Sequence, residues 1–287
     1  MKTAAVVILY HPTQQTLQNI NSYHTAVDKL FVLDNTEGSA SIINQSSFNN
    51  PTIHYSCDGI NKGIAERLNE AAQQAINEGF EWLLLMDQDS SFEGNTFDLY
   101  IDSITNYQDK KQVALFGPNF SRQYKESIAE TNLVKVPAMI TSGSFLNLAA
   151  YQQIGPFDEA LFIDGVDTEY CLRAQNCGYD IIMFLNIFLK HELGEAVKRA
   201  SIKTLYMVKK VKDIHSPIRC YYIYRNNLYL QTKYKHLDKM VMKDINGGAI
   251  TNIKKSIFYG TESRQIFKYL IKAHRDFKQN KMGKYQP

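Results

Sequence analysis

Short apolar runs that alternate with helical patterns place the strongest limit on how this chain folds. Each run is bounded and too short for a buried helix, which is consistent with a buried strand. Five strands are predicted early in the chain, and they are AAVVILY (4–10), LFVLD (30–34), the more polar TIHYS (52–56), WLLLM (82–86) and VALFG (113–117). Residues 62–78 between them repeat apolar side chains at helical spacing and end before Gly79. This alternation predicts an α/β fold with a mostly parallel central sheet and helices on both faces.

Polar side chains follow several of these runs directly. Tyr10 and His11 come at the end of the first run, Asp34 ends the second, and Asp87 follows the fourth. Ligands of such sheets bind at the carboxyl ends of the strands, so these side chains are expected to converge on one site. Asp34 can accept a hydrogen bond from a pyrimidine ring or a ribose hydroxyl, and the alternative is a local Asx-turn.

The stretch WLLLMDQDSSF ends a predicted buried strand on two carboxylates, Asp87 and Asp89. Side chains two residues apart on a strand point the same way, and two like charges held together need a cation between them. Carboxylates are good ligands for Mg²⁺ or Mn²⁺, and these metals usually bind substrate phosphates as well. The alternative is a turn or a helix cap. Neither a P-loop nor a dinucleotide-binding glycine motif is present to hold phosphates in another way.

A second polar cluster lies in the stretch FIDGVDTEYCLRA. Asp164, Asp167 and Glu169 fall within six positions, and the segment from Glu169 to Arg173 is typical of the start of a helix. A carboxylate here is a candidate general base, and the alternative is an acidic first turn favoured by the helix dipole. His191 follows the longest apolar run and is a candidate third metal ligand, although a lone His is more often structural.

Taken in order, these segments resemble family 2 glycosyltransferases with the GT-A fold, and within them the bacterial rhamnosyltransferase-like group. The resemblance covers nearly the whole chain. The stretches that carry it are VVILYHP, LDN, NKGIAERLNEAAQQA, LLLMDQDS, TSGSFLNLAAYQQIGPFDEALFIDGVDTEYCLRA, KHELG and YYIYRNNLYL. One departure is the YHP segment, where many relatives have Asn before the Pro.

This resemblance implies a role for each site residue. The metal-binding D-x-D corresponds to Asp87 and Asp89, His191 completes the metal ligands, and Asp167 is the catalytic base. Asp34 corresponds to the acid that contacts the base of the nucleotide. The predicted nucleotide contacts are Tyr10, His11, Asp34, Lys62, Asp87 and Gln88. The residues assigned to the acceptor or to support of the site are Asp164, Glu169, Arg173 and Arg225.

The implied activity is an inverting, metal-dependent transfer of a sugar from a nucleotide donor to a saccharide or polyprenyl-diphosphate-linked acceptor in surface polysaccharide synthesis. dTDP-L-rhamnose is the first choice of donor and a UDP-hexose the second. Two alternatives stay open at this point. One is a haloacid-dehalogenase-like phosphatase, which also ends an apolar strand in D-x-D, and the other is a non-catalytic binding protein with the same fold.

The charge of the chain divides unevenly along its length. Residues 1–197 have 11 Lys and Arg against 24 Asp and Glu (11 − 24 = −13), and residues 198–287 have 21 against 5 (21 − 5 = +16). We therefore expect a catalytic domain over 1–197, with a nucleotide part to about 117 and an acceptor part over about 118–197, and a basic helical region over 198–287. An amphipathic stripe of Ile266, Tyr269, Leu270 and either His274 or Ala273 in that region favours an anionic membrane surface as partner.

Several further expectations concern location and partners. Four scattered cysteines and the lack of a membrane-spanning run favour the cytoplasm, with peripheral attachment at the inner face of the plasma membrane. Nothing matches a nucleic-acid-binding motif. An oligomer is left open.

Overall fold

The computed structural model describes residues 1–38, 41–48, 50–119, 132–191, 195–200 and 209–287. Its contacts divide the chain into two compact units, one made of Met1–Glu159 and Val166–Glu192, and the other of Ala160–Gly165 and Leu193–Pro287. The domain bounds predicted at residues 117 and 197 stay predictions. Parts of those predicted domains lie outside the described residues, namely 39–40, 49, 120–131, 192–194 and 201–208.

The first unit alternates strands and helices, as the pattern of apolar runs predicts. Its strands are β1 (Thr3–Leu9), β2 (Lys29–Asp34), β3 (Ile53–Cys57), β4 (Trp82–Asp87), β5 (Ser90–Phe92), β6 (Val113–Asn119), β7 (Leu133–Lys135), β8 (Ser144–Asn147) and β9 (Asp180–His191). Its α-helices are α1 (Gln14–Asn21), α2 (Gly63–Asn77), α3 (Thr96–Asn106), α4 (Leu148–Ile154) and α5 (Val166–Asn176). All five predicted early strands are therefore present, with ends shifted by one or two residues.

The strands of the first unit form one sheet. Within the described residues its order is β3-β2-β1-β4-β8-β6-β9-β5, and β7 pairs with β9. The pairs β1 with β2, β1 with β4, β2 with β3, and β6 with β9 are parallel, because helices or long connections return the chain between them. β8, β5 and β7 run antiparallel to their neighbours. The predicted mostly parallel sheet is confirmed.

Both faces of the sheet are covered. β1 is buried along its whole length, and its side chains alternate between the two faces. Ala5, Val7 and Leu9 pack in an apolar cluster with side chains of α1 and α3. α2 contacts β1 and β4, while α4 and α5 contact β6. This covering explains why these strands are continuous apolar runs in the sequence.

Helix α2 shows how the sequence sets an element and its orientation. The helix begins at Gly63, whose φ of 81° lies in the left-handed region that glycine adopts readily, and it ends before Gly79, whose φ is 72°. Its buried stripe is Ala65, Leu68, Ala71, Ala72 and Ala75, with Arg67 buried beside it. Ile64 and Ile76, which the helical pattern placed on that stripe, are only half-buried.

The second unit differs from the sequence expectation at its start. The expected helical region begins instead with two strands, β10 (Glu195–Ala200) and β11 (Lys209–Ile214), which pair antiparallel. The helical prediction was wrong for these segments. Their β-branched residues, Val197, Val211 and Ile214, favour strands, and the charged residues between them resemble the exposed face of a helix.

After β11 the chain is mainly helical, as predicted. This part contains α6 (Pro217–Lys233), α7 (Lys239–Tyr259) and α8 (Ser263–Lys278), and α6 packs against both other helices. Tyr221 and Tyr222 of α6 and Ala273 of α8 form its small apolar core. Among the described residues, no helix is both long enough and apolar enough to cross a bilayer.

Candidate active site at the carboxyl edge of the sheet

Three parallel strands bring their carboxyl ends into line. In the register of the sheet Leu9 lies beside Asp34 and Ile8 lies beside Asp87, so β1, β2 and β4 end at the same level. The polar residues that follow these strands therefore share one edge of the first unit. This is the edge at which open α/β sheets bind their ligands.

Two carboxylates and an imidazole meet at this edge. β4 ends at Asp87, the chain turns through Gln88 and Asp89, and β5 then pairs antiparallel with β9 so that Ser90 faces His191. One ligand atom from each of Asp87, Asp89 and His191 lies within 4.8 Å of the other two. His191 Nδ1 lies 3.2 Å from Asp89 Oδ1. We call these three residues the candidate metal site.

The donor set fits a divalent cation of the magnesium or manganese type. Oxygen ligands suit both ions, and an imidazole nitrogen is acceptable to Mn²⁺. The negative charge of Asp87 also affects the nearby Tyr23. Burial is the main reason that the pKa of Tyr23 is raised, and the charge of Asp87 raises it further. The sequence predicted all three ligands, and the structure brings them together; their role as ligands stays a prediction.

Two buried serines connect the candidate metal site through hydrogen bonds, and the sequence interpretation missed both. The backbone N–H of Asp87 donates to Ser142 Oγ at 3.1 Å, and Ser142 Oγ donates to Ser90 Oγ at 2.8 Å. Ser90 Oγ lies 2.7 Å from His191 Nδ1. Both serines have no exposed surface. Only the position of Ser90 next to the D-x-D, and of Ser142 in the segment TSGS, could have suggested them.

This serine chain bears on the tautomer of His191. Ser90 Oγ accepts a hydrogen bond from Ser142 and also lies 3.4 Å from Asp89 Oδ1, to which it can donate. A His191 that carries its proton on Nδ1 then donates to Ser90, with Asp89 beside it, and carries its lone pair on Nε2. In either tautomer, the contact with Ser90 fixes the orientation of the His191 ring.

Gln88, between the two carboxylates, is used to hold the end of β1. Its Oε1 accepts the backbone N–H of Tyr10 at 2.9 Å, and its Nε2 donates to the carbonyl of Tyr10 at 3.0 Å. Asn19 donates to the Gln88 carbonyl at 2.9 Å. The amide predicted to contact the nucleotide is thus bonded to the protein backbone on both sides.

Tyr10 and His11 are placed where a ligand can reach them. Tyr10 is 45% exposed, and partial burial followed by the neighbouring Glu37 raises its pKa. His11 has a φ of 47°, in the left-handed region that few residues other than glycine adopt, and its N–H donates to Thr36 Oγ1 at 2.8 Å. A strained residue at the end of a strand is common at binding sites. Their nucleotide contact stays a prediction.

Asp34 lies inside the protein. Its Oδ1 accepts the N–H of Thr36 at 2.8 Å, and its Oδ2 accepts the Tyr55 hydroxyl at 3.0 Å. The residue has no exposed surface, so its carboxylate does not face a ligand in this structure. The Asx-turn alternative matches the Thr36 bond, and a direct contact with the base requires Tyr55 to move.

A second group of charges surrounds the start of α2. Lys62 lies 3.0 Å from Asp58 and 2.6 Å from Glu70, while the buried Arg67 lies 2.5 Å from Asp58 and 2.7 Å from Glu70. Arg67 Nε also donates to Asn35 Oδ1 at 2.8 Å, directly after β2. We call Asp58, Lys62, Arg67 and Glu70 the paired cluster.

The paired cluster is balanced by its own side chains. Burial raises the pKa of Asp58, but hydrogen bonds from Arg67 and Lys62 outweigh it and hold that pKa well below its usual value. The pKa of Glu70 is lowered in the same way. Lys62, predicted as a nucleotide contact, is therefore engaged by carboxylates here. The sequence interpretation missed Arg67, although its spacing of three residues from Glu70 on a helix was a usable signal.

The second acidic cluster separates into supporting and exposed carboxylates. Glu169 is fully buried and bonded to Arg173 at 3.0 and 2.9 Å, and Arg173 also donates to the carbonyls of Ile154 and Pro156. These contacts hold both side chains within the first unit, and their assignment to the acceptor or to support of the site stays a prediction. Asp167 is partly exposed in the first turn of α5, where its Oδ1 accepts the N–H of Thr168 at 2.7 Å.

Topology places Asp167 at the same edge as the candidate metal site. α5 begins at Val166, runs away from that edge, and is followed after a short turn by β9, which ends at His191. α5 contacts β9, so the two elements lie side by side in opposite directions. The start of α5, with Asp167, and the end of β9, with His191, therefore lie at the same edge of the sheet.

Asp164 and Arg225 are held within the second unit. Asp164 has a φ of 63°, and Arg219 bonds both of its oxygens at 3.1 and 3.2 Å. Arg225 is 1% exposed and lies over the rings of Tyr221 and Tyr222. Asn226, which sequence reasoning missed, donates to the carbonyls of three residues, Leu161, Ile163 and Asp164. These residues shape the segment that leads to Asp167 along the chain.

Comparison with known proteins gives one curated relative and several solved structures. No sequence family profile matches the chain. The sequence is similar to the dTDP-rhamnosyl transferase RfbF of Shigella flexneri, with 29% identity over 252 residues, 80% of this chain and 79% of that protein. The fold is similar to S. aureus TarS, with a TM-score of 0.54 and 14% identity over 97% of this chain and 49% of that chain. It is also similar to GalNAc-T7 with UDP, GalNAc and Mn2+, with a TM-score of 0.54 and 12% identity over 67% of this chain and 44% of that chain.

These similarities agree with the geometry of the edge. The chain spans less than half of the length of either solved structure, so these two similarities show only the fold. The phosphatase alternative finds no support in the fold, and the binding-protein alternative finds none in the Shigella relative, which is named a transferase. The resemblance to bacterial rhamnosyltransferase-like family 2 glycosyltransferases is confirmed: this chain is a nucleotide-sugar-dependent glycosyltransferase with the GT-A fold.

Proposed function

We propose that the chain transfers L-rhamnose from dTDP-L-rhamnose, with inversion and with Mg²⁺ or Mn²⁺, onto a saccharide or a polyprenyl-diphosphate-linked saccharide. The observation that carries this proposal is the candidate metal site at the carboxyl edge of the sheet, with Asp167 on the same side. The donor rests on the Shigella relative, which is named a dTDP-rhamnosyl transferase. A UDP-hexose is the second choice.

Asp87, Asp89 and His191 would hold the cation, and Ser90 and Ser142 fix their arrangement. When bound, such a cation neutralises the negative charge of the diphosphate leaving group. The serines matter because each ligand must be oriented before the donor arrives. Their burial keeps water from competing for the hydroxyl groups that link Asp87 to His191.

Asp167 is the proposed general base. Its carboxylate takes the proton of the acceptor hydroxyl, whose oxygen forms a bond to the anomeric carbon while the bond from that carbon to the diphosphate oxygen breaks. Attack from the face opposite the leaving group inverts the anomeric centre. Asp167 suits this role better than Glu169, because Asp167 is partly exposed in the first turn of α5 and Glu169 is fully buried.

The nucleotide is proposed to lie along the ends of β1 and β2. Tyr10 and His11 follow β1, and Gln88 fixes the backbone of Tyr10 next to the two metal-binding carboxylates. Asp34 becomes a base contact only if Tyr55 releases its Oδ2. The Tyr55→Phe variant lacks that hydrogen bond. If Asp34 contacts the base, this variant should bind pyrimidine nucleotides at least as tightly as the unchanged protein.

Calorimetry with a panel of nucleotide sugars and Mn²⁺ tests the donor. We expect dTDP-L-rhamnose to bind most tightly, a UDP-hexose next, and all of them only with metal. An Asp89→Ala variant provides the control for metal dependence. Tight binding of a purine diphosphate sugar with none of the pyrimidine donors would overturn the donor assignment.

The acceptor and its location complete the proposal. A lipid-linked acceptor places the enzyme in the cytoplasm, peripherally at the inner face of the plasma membrane, in surface polysaccharide synthesis. The support for this location is the charge of residues 198–287, with 21 Lys and Arg against 5 Asp and Glu. Transfer assays with a soluble saccharide and with a polyprenyl-diphosphate-linked saccharide distinguish the two acceptors, and a strong preference for the soluble one would contradict the lipid-linked assignment.

A further inference from the structure

Helix α8 has two apolar faces, and the structure separates them. Ile266 and Ala273 are 1% and 0% exposed, and Ala273 packs with Tyr221 and Tyr222 of α6. The stripe that the sequence placed against a membrane therefore faces the core of the second unit, and that assignment was wrong. The reason is that an amphipathic helix buries its apolar face wherever a neighbouring helix offers one.

The opposite face of α8 exposes a different set of side chains. Phe267 and Ile271 are 53% and 64% exposed, one helical turn apart. At about 100° per residue these two share one arc of the helix with four cations. The residues of this arc, which we call the outer stripe, are Arg264, Phe267, Lys268, Ile271, Arg275 and Lys278.

The charge of the outer stripe is open to a partner. Among the ion pairs of the described residues, none engages Arg264, Lys268, Arg275 or Lys278. The acidic residue of α8, Asp276, is 4% exposed and is bonded to Tyr221 and Lys272 on the inner side. The stripe is therefore a basic surface with two apolar side chains at its centre, running along about 20 Å of helix.

We propose that the outer stripe of α8 binds the surface of an anionic lipid bilayer. Phe267 and Ile271 enter the boundary between headgroups and acyl chains, and the four cations lie among the anionic headgroups. A bilayer fits better than a second copy of the chain, because protein interfaces are depleted of Lys at their centre and two apolar side chains bury too little area for a stable dimer. Nucleic acid fits less well, because contacts with phosphates do not require exposed apolar side chains such as Phe267 and Ile271 at the centre of the stripe.

Vesicle sedimentation with the full chain tests this surface. The probes are phosphatidylcholine vesicles with and without phosphatidylglycerol, at about 0.01 M and about 1 M salt, between which the screening length falls about tenfold. We expect binding only to the anionic vesicles at low salt. Binding to neutral vesicles at equal strength, or binding that salt does not weaken, would overturn the proposal.

Two double variants locate the surface. Lys268→Gln with Arg275→Gln should lower the partition coefficient about 30-fold, because each cation near such a surface contributes about fivefold. Phe267→Ser with Ile271→Ser should lower it about tenfold or more. The matched control is Leu99→Ser with Lys111→Gln, which are exposed in the first unit and should bind vesicles like the unchanged protein.

The alternatives are separated by parallel measurements. Variants that bind vesicles normally but lose a dimer in sedimentation equilibrium would assign the stripe to a second copy, and variants that lose only DNA binding would assign it to nucleic acid; either result rejects the proposal. Transfer to a soluble acceptor and Mn²⁺ affinity should stay unchanged in both variants. Failure of vesicle binding is thus distinct from failure of the proposed transfer reaction.

Discussion

The paired cluster and the candidate metal site hold similar acidic groups at the same edge of the sheet and balance them in opposite ways. In the paired cluster, Arg67 and Lys62 lie within 3.0 Å of Asp58 and Glu70. In the candidate metal site, the ion pair of Asp89 is made with His191, which is charged only when protonated. The protein thus supplies the cations of the paired cluster from its own side chains, whereas the function proposed for the candidate metal site requires a bound cation.

The largest effect should come from breaking the candidate metal site. Asp89→Ala removes one carboxylate ligand, and we expect transfer to fall by about 10³-fold or more, because the diphosphate charge is then poorly neutralised. His191→Ala should have a smaller effect in the same direction. The measurements are transfer rate and metal-dependent donor binding, and full activity in excess chelator would contradict the metal assignment.

The acids of α5 should show the same contrast on a smaller scale. Asp167→Asn keeps the shape of the side chain but cannot accept a proton, so turnover should fall by about 10²-fold or more while nucleotide binding is retained. Glu169→Gln, the matched control, should lower stability through its bond to Arg173 and leave the turnover of the folded protein largely intact. Near-native turnover of Asp167→Asn would place the base elsewhere.

The paired cluster should respond in stability. Arg67→Met leaves Asp58 and Glu70 without their buried partner, and we expect the free energy of unfolding to fall by about 3 kcal/mol. Urea denaturation measures this change, and Mn²⁺ affinity, which should not change, is the control. A loss of metal affinity as large as that of Asp89→Ala would join the two clusters into one functional site.

The pH dependence of that difference has a definite sign. The pKa values of Asp58 and Glu70 are lowered in the folded state, so their contribution to stability is present above the pKa of the unfolded chain. It is lost as the pH falls through the folded-state values. The stability gap between the unchanged protein and Arg67→Met should therefore be largest near neutral pH and shrink in acid.

The smallest effect should come from the serine chain. Ser90→Ala removes the hydroxyl beside His191 Nδ1, and we expect Mn²⁺ affinity to fall about tenfold, the lower end for loss of a group that orients a metal ligand. Ser91→Ala is the matched control, because the next residue of a strand points to the opposite face. Titration of Mn²⁺ followed by electron paramagnetic resonance measures both, and equal affinities would limit Ser90 to a packing role.

Local patterns in the sequence predicted much of this structure. The early strands, the D-x-D and the strand-end position of His191 follow from apolar runs and from the residues that end them. The rest depends on distant partners. Ser142 meets Ser90 across 52 positions, and Asp34 is buried because Tyr55 of the next strand bonds it. A pattern of neighbouring residues in the sequence cannot predict such contacts between distant positions.

The second unit shows the same limit. β10 and β11 were missed because strongly charged strands resemble exposed helix, and their pairing depends on a partner across a connection. α8 was predicted as a helix, but both of its sides have apolar residues. Which side faces inward depends on α6, and only the packed structure identifies Phe267 and Ile271 as exposed.

Gln88 has a thermodynamic consequence. It lies between the two carboxylates of the candidate metal site, and its amide bonds the backbone of Tyr10, where the nucleotide is expected. If a cation binds the D-x-D, the order it imposes there would extend to Tyr10, and the cation and the nucleotide would be energetically linked in addition to the attraction between their charges. Linkage is reciprocal: the factor by which the cation tightens the nucleotide equals the factor by which the nucleotide tightens the cation. A shorter polar side chain in place of Gln88 would leave both ligands able to bind, but it would reduce the factor by which each ligand tightens the binding of the other.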